Sequence, residues 1–375
     1  FYQIRGIGER SEFTEPVNYS VGVIIDGIDF TGIALGASTF DIKQVEVLRG
    51  PQGTLYGANA LAGLVNMVSN NPTKVFYSQI EGLVSEYGGR NINALISGTS
   101  QSKIGYRVGI KNAKSDGYVR NVYLNKDDTN NLDETIAKAK FTKTIDNTNL
   151  ILNIFHGDID NGYDAFSLDN TRVTYSDNPG HDRQKTTATS LKIERDLQGN
   201  NRFEALISYA ESDLNYAYDE DWSNTDICNN TPCDSSIHGF DWWYSSFDSF
   251  KRDNKNHTLD IRYVYGSENF PWVIGIYNRG QDINLIRQYT YLENDFKSSF
   301  DTKNSAIYGQ FDGNITKKVK IIGGLRFEKR KADYTDNNAP APEGFFCIAI
   351  YPRPESCLFN NQYSNSENFW GGKLS

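Results

Sequence analysis

From about residue 74 onward the sequence alternates with period two, and this constrains the fold more than any other feature. Phe203, Ala205, Ile207 and Tyr209 interleave with Glu204, Leu206 and Ser208. Leu259, Ile261, Tyr263 and Tyr265 interleave with Thr258, Asp260, Arg262 and Val264. Val319, Ile321, Gly323, Leu325 and Phe327 interleave with Lys320, Ile322, Gly324, Arg326 and Glu328. Successive side chains of a strand point to opposite faces, so each run presents one apolar or aromatic face and one mainly polar or glycine face. A soluble β-sandwich shows the same alternation, so the pattern fixes strands but not their solvent.

The connections are lopsided. Short turns at Glu86–Arg90, Ile145–Thr148 and Thr316–Lys318 alternate with long polar segments at 158–182, 211–250 and 332–366. Short turns at one rim and long loops at the other are the plan of an outer-membrane barrel. Aromatic residues at strand ends (Tyr106, Tyr118, Phe155, Tyr265, Tyr291, Phe327 and Tyr334) fit interfacial girdles. At about 25 residues per strand with its connection, residues 74–375 hold roughly 12 strands. These are expected near 75–85, 90–100, 103–114, 133–144, 148–158, 182–195, 201–212, 250–265, 271–290, 297–314, 318–332 and 366–375.

Composition removes other classes. With 23 Tyr, 21 Phe and 5 Trp in 375 residues, the chain is too aromatic for disorder. It has no apolar run long enough for a spanning helix. A net charge of −9 without a dense basic run argues against nucleic acid as a partner. Low mean hydropathy does not exclude a membrane, because a barrel strand needs apolar side chains on one face only. No catalytic or metal-binding signature stands out: GxSxG and HExxH are missing and the four His are dispersed. The reading is therefore not an enzyme, with no cofactor and no metal site. The acidic run Asp219–Glu220–Asp221 suits a hard cation chemically but lacks a defined ligand spacing, so a solvated loop is the expectation there.

The cysteines form two tight pairs, Cys228/Cys233 and Cys347/Cys357, both in Asn/Asp/Pro-rich stretches. Local disulfides stapling exposed loops, and hence an oxidising compartment, are the favoured account; four unpaired thiols are the alternative. The segment 214–250 concentrates Tyr216, Tyr218, Trp222, Trp242, Trp243 and Tyr244 amid aspartates. Such a surface suits a metal chelate with an aromatic or hydroxamate rim, and equally an outer aromatic girdle. The chain opens at Phe1 without a leader sequence and ends at Ser375 in a strand-like run, so both ends read as cut.

Residues 1–73 differ in texture. They are Gly-rich, with short apolar runs at 21–28, 45–48 and 64–68, and read as a small mixed α/β globule with a helical turn near 57–63. Within it, DIKQVEVLRGPQGTLYGANALAGLVNMVSNNP (41–72) is a strand–turn–helix–strand unit. Gly50–Pro51 makes the turn, Gly53 and Gly57 relieve the backbone, and no Lys–Ser/Thr follows for a phosphate loop. The run VEVLRGPQGTLYGANALAG, with Arg49, Gly50, Pro51, Gly53, Tyr56 and Gly57, closely resembles the plug signature of TonB-dependent outer-membrane receptors. IRGIGER (4–10) and VGVIIDGIDFTG (21–32) resemble the same plug. SDGYVRN (115–121), TLDIRYVYG (258–266), FPWVIGIY (270–277) and SAIYGQFDGNITKKVKIIGGLRFEKR (305–330) resemble barrel segments of the iron-complex branch.

The resemblance implies an all-β membrane barrel closed by an N-terminal plug, here about 12 of 22 antiparallel strands with part of the plug: residues 1–73 plug, 74–375 barrel. It implies a bacterial outer-membrane location among lipid and lipopolysaccharide. It also implies uptake of a ferric-siderophore-type complex, driven by the TonB–ExbB–ExbD complex without covalent chemistry. Cobalamin, haem or a glycan are alternative ligands within the family. A secreted soluble β-rich carbohydrate-binding protein or glycosidase is the rival from another class. The TonB-contacting segment, the first part of the plug and the closing strand are absent from this numbering. By the same resemblance Arg5 and Arg49 pair with wall carboxylates, for which Asp260 and Glu328 are the candidates, with ordinary turn-stabilising arginines as the alternative.

Overall fold

The computed structural model describes residues 2–8, 19–50, 62–168, 170–227, 245–267, 269–292, 294–316, 319–339 and 359–374. Among the described residues no helix is long and apolar enough to cross a membrane, which says nothing about crossing by strands.

Among the described residues the N-terminal part contains strands β1 (Gln3–Ile4), β2 (Ile7–Gly8), β3 (Val21–Ile25), β4 (Ile28–Asp29), β5 (Ile42–Arg49) and β6 (Gly63–Ser69), with a 3₁₀ turn at Ala34–Gly36. Four of them form a sheet in the order β4-β3-β6-β5, with β3 parallel to β6 and β5 antiparallel to it. The sequence explains the β3–β4 hairpin. Asp26 and Gly27 have φ of 50° and 80°, the left-handed pair that a two-residue hairpin loop requires and that Asp-Gly supplies most cheaply. The helical turn expected near 57–63 falls almost wholly on residues 51–61, outside the described residues; Ala62 is a bend and Gly63 opens β6.

From Tyr77 onward the described residues form one antiparallel sheet of 12 strands in sequence order. Its members are β7 (Tyr77–Val84), β8 (Arg90–Thr99), β9 (Ile104–Ser115), β11 (Leu132–Ile145), β12 (Thr148–Tyr163), β14 (Gly180–Asp196), β15 (Arg202–Asp219), β16 (Phe247–Tyr265), β17 (Trp272–Tyr289), β18 (Phe296–Thr316), β19 (Val319–Ala339) and β20 (Phe359–Leu374). Two-residue strands β10 (Arg120–Asn121) and β13 (Val173–Thr174) pair with each other in the loops. The number of strands and the meander order agree with the expectation from the sequence. Strands are longer than alternation of apolar residues implied. Backbone pairing continues past the apolar band, so β15 runs to Asp219 and β16 starts at Phe247, shortening the expected 211–250 loop. The turn at Glu86–Arg90, expected at the short-turn rim, lies with the long connections, because each later strand reverses direction.

The faces are inverted relative to a soluble sheet. Along β15 the apolar set is exposed (Phe203 38%, Ile207 52%, Tyr209 41%) and the polar set is buried (Glu204 9%, Ser208 2%). Leu325 and Phe327 on β19 are likewise exposed while Arg326 between them is buried. Apolar out and polar in is the arrangement that lipid outside and a filled lumen inside require. Phe155, expected in an aromatic girdle, is a correction: its parity turns it inward. It is buried against Phe30 of the N-terminal part at a centroid distance of 4.9 Å, edge to face.

The N-terminal sheet packs on this inner face. Val21, Val23, Ile25, Ile28, Phe30, Ile33, Val65 and Met67 cluster with Ile136, Phe155, Ala188 and Ala210 of the wall. The core of the molecule is therefore the junction between plug and wall.

Candidate functional site

Among the described residues, three ion pairs fasten this junction. Asp26 meets Lys140 Nζ at 3.1 Å, Asp29 meets Arg279 Nε at 2.8 Å, and Asp41 receives Arg107 Nε and Nη2 at 2.7 and 2.6 Å. All six side chains are largely buried. The hairpin turn places the first two carboxylates: Asp26 also accepts from Ser69 N and Oγ, and its carbonyl accepts from Ser190 Oγ of the wall. Asp29 accepts from Thr31 N, and its carbonyl from Asn256 Nδ2. Lys138 donates to the Phe40 carbonyl and Gln184 to the Ile33 carbonyl.

The expected latch residues take other positions. Asp260 accepts from Tyr308 Oη at 2.7 Å and lines a cavity of about 320 Å³ with Asp26, Asp29 and Lys140. Glu328 accepts from Arg326 Nε at 2.7 Å and from Asn304. Both carboxylates thus have partners on the wall itself. Arg5 sits in the β1–β2 turn at φ 54°, and Arg49 ends β5 with an exposed side chain. At the three pairs above the signs run the other way, with carboxylate on the plug and cation on the wall. The signal was present in the Asp-rich IIDGID turn, but nothing in a single strand says which of its lumen-facing cations lies opposite.

Above the junction, toward the long connections, a cavity of about 970 Å³ opens between the two parts. Its floor comes from Tyr2, Tyr19, Ala34 and Leu35, and its walls from Tyr163, Phe166, Tyr216, Tyr218, Trp222 and Phe250, with Asp182, Gln184, Glu220 and Arg252 as polar groups. Leu214, Tyr216 and Tyr218 alternate along the end of β15 and so share the inward face. The rings make a continuous surface. Tyr163 meets Tyr216 edge to face at 5.0 Å, and Phe166 stacks on Trp222 at 4.6 Å and 7°. Asp248 accepts from both Nε and Nη2 of Arg287, and Arg287 in turn covers Phe250 at 5.1 Å, so the polar scaffold holds the aromatic one.

Tyr216, Tyr218 and Trp222, anticipated from the sequence, therefore come together; the first two lie on a strand rather than in a loop. Tyr163, Phe166, Phe250 and the plug tyrosines were missed, since their only signal was an aromatic at the end of a strand-like run. Trp242, Trp243, Tyr244, Cys228, Cys233, Cys347 and Cys357 lie outside the described residues, as do Pro51, Gly53, Tyr56 and Gly57 of the signature; Gly50 takes the left-handed φ of 80° at its turn. The acidic run is not solvated: Asp219 and Asp221 are 5% and 2% exposed. No group of three or more His, Cys, Asp or Glu able to hold a metal occurs among the described residues.

Known proteins agree with this architecture. Residues 1–64 match the TonB-dependent receptor plug domain and residues 105–374 the TonB-dependent receptor-like β-barrel. The pesticin receptor of Yersinia pestis is 30% identical over 138 residues, covering 36% of this chain and 20% of that protein. The catecholate siderophore receptor Fiu of Escherichia coli K12 is 45% identical over 53 residues, 14% of this chain and 7% of that one. In structure, the ferric yersiniabactin uptake receptor FyuA of Yersinia pestis superimposes with a TM-score of 0.75 at 18% identity, over 95% of this chain and 53% of its own. The ferric-catecholate import receptor Fiu of E. coli K12, in its open form, does so with a TM-score of 0.68 at 15% identity, over 95% and 60%. The chain thus spans about half the length of the structures it matches. The plug and barrel matches, with the inverted faces of the sheet, show that this chain belongs to the TonB-dependent receptor family of bacterial outer-membrane proteins.

Proposed function

We propose that this chain is the plug (1–73) and wall (74–375) portion of a receptor that takes up a ferric-siderophore-type complex across the outer membrane without covalent chemistry. The observation that carries the reading is the aromatic cavity between plug and wall at the long-loop end. Flat ring faces with a few convergent polar groups suit a chelate whose rim is aromatic or hydroxamate and whose iron is already enclosed. The names of the Fiu and FyuA relatives, a catecholate siderophore receptor and a ferric yersiniabactin uptake receptor, support the iron-complex class.

The ion-paired plug fits a gated route. A buried pair resists loss of one partner but separates at lower cost when both partners reach water together, as when a TonB complex in the inner membrane pulls the plug as a unit. Arg5 and Arg49 are further candidates for holding it, with charge reversal at Arg49 expected to raise passive permeability.

Growth of a receptor-deletion strain on defined ferric siderophores, with and without the plasmid-borne gene, tests the reading. Restored growth on at least one ferric chelate, dependent on TonB, is expected. Equal growth on every iron source, with uptake of a non-iron ligand instead, would refute it.

A further inference from the structure

We propose that the long-loop rim holds a divalent cation of the calcium type between the carboxylates of Asp219 and Asp221 and the hydroxyls of Ser176 and Ser223. β15 ends at Asp219, and the chain then folds against residues 175–177 and 245–246. Asp177 N donates to the Ser223 carbonyl, Asn224 Nδ2 to the Tyr175 carbonyl, and Glu220 N to the Ser246 carbonyl. Each carboxylate is satisfied on one oxygen only: Asp219 Oδ1 accepts from Trp222 N at 3.2 Å and Asp221 Oδ1 from Ser246 N at 2.9 Å.

The second oxygens, Oδ2 of both residues, are buried with no hydrogen-bond partner, and so are Ser176 Oγ and Ser223 Oγ. All four residues are at most 5% exposed. Asp219 faces Asp221 and Ser176, and Asp177 adds negative charge from the neighbouring loop. Buried, unpaired carboxylate oxygens beside like charge are strongly unfavourable. An all-oxygen set of carboxylates and hydroxyls suits a hard cation rather than a thiolate- or imidazole-seeking metal.

With only two carboxylates the remaining ligands are hydroxyl, main-chain and water oxygens, which calcium accepts at a coordination number of about six to eight. Such a sparse site should bind in the order of 10⁻⁴–10⁻³ M range of extracellular modules. Its effect is local ordering. The cation ties the end of β15 to the 175–177 loop beside Trp222, whose ring stacks on Phe166 at the cavity mouth. This holds whatever ligand the cavity takes.

The test uses the full-length receptor in detergent, stripped with chelator and titrated with calcium chloride by calorimetry and with terbium by sensitised emission. One calcium per chain is expected, displacing terbium. The double variant Asp219→Asn/Asp221→Asn should lose uptake while keeping heat-modifiable gel mobility. Should that variant not fold, Ser176→Ala replaces it, with affinity expected to fall about tenfold. No uptake by the unaltered protein at millimolar calcium, or undiminished uptake in the variant that folds, overturns the proposal.

Discussion

Asp29, in the hairpin of the plug, and Arg279, on the inner face of β17, stand 250 residues apart in sequence, and their Oδ2 and Nε are 2.8 Å apart. Arg279 is 2% exposed on its side chain and Asp29 14%. Arg279 Nη2 also donates to Gln281, whose Nε2 donates to Asn254, so the pair is the inner end of a polar chain along the wall.

Removing one partner of such a pair strands a buried charge. Arg279→Ala and Asp29→Ala are each expected to destabilise plug docking by about 3–5 kcal/mol. The double variant should cost less than the sum of the two. Passive entry of a large antibiotic into cells, with urea unfolding of the purified protein, checks this. Additive effects would show that the two residues act independently.

The outward face should tolerate charge by depth. Ile207→Arg, on the apolar band, is expected to cost about 2–4 kcal/mol, whereas Asp213→Arg, further along the same outward face of β15, should cost about 0–1 kcal/mol. Unfolding in lipid vesicles measures both. Equal costs would argue against lipid on this face.

At the cavity, Tyr216→Ala and Trp222→Ala each remove a ring from the aromatic surface. A contribution of about 0.5–1.5 kcal/mol per aromatic contact predicts roughly two- to thirteenfold weaker chelate binding for each, read by intrinsic fluorescence quenching. Binding unchanged in both variants would move the ligand elsewhere.

The rim should respond to pH. Burial, with Asp221 adding to it, raises the Asp177 carboxyl above the ordinary carboxylate range, against a hydrogen bond from Ser245 that lowers it. Asp219 also lies within its electrostatic reach. A raised carboxyl favours the folded loop while protonated, so its contribution is present at acid pH and is lost as pH rises through the raised value. Without divalent cation, protection of residues 170–179 from hydrogen exchange should therefore fall as pH rises from about 4 through the raised value, and calcium should restore it at neutral pH. Protection that rises with pH in calcium-free buffer would contradict the assignment.

Most of the wall was legible because period two is a local signal. The run from Phe203 to Tyr209 declares a strand wherever it is placed, whereas 21–28 read as one apolar run and the hairpin at Asp26–Gly27 emerged only in the structure. The strand ends were not legible: Tyr216, Tyr218 and Asp219 sit in polar sequence, and only pairing with Phe250, Asp248 and Phe247 extends β15 over them. Phe155 was misplaced for a related reason, since an aromatic in a strand does not reveal whether its face meets lipid or the plug.

Alternation determined by itself that residues 74–375 are built of strands, and the resemblance carried by the run around Arg49 pointed to an outer-membrane wall with a separate N-terminal part. Tertiary structure alone decided which face meets lipid, which charges meet across the junction and which carboxylates are buried at the rim. Strand periodicity depends on neighbours in sequence, whereas burial and ion pairing depend on residues brought together from far along the chain, such as Asp29 and Arg279.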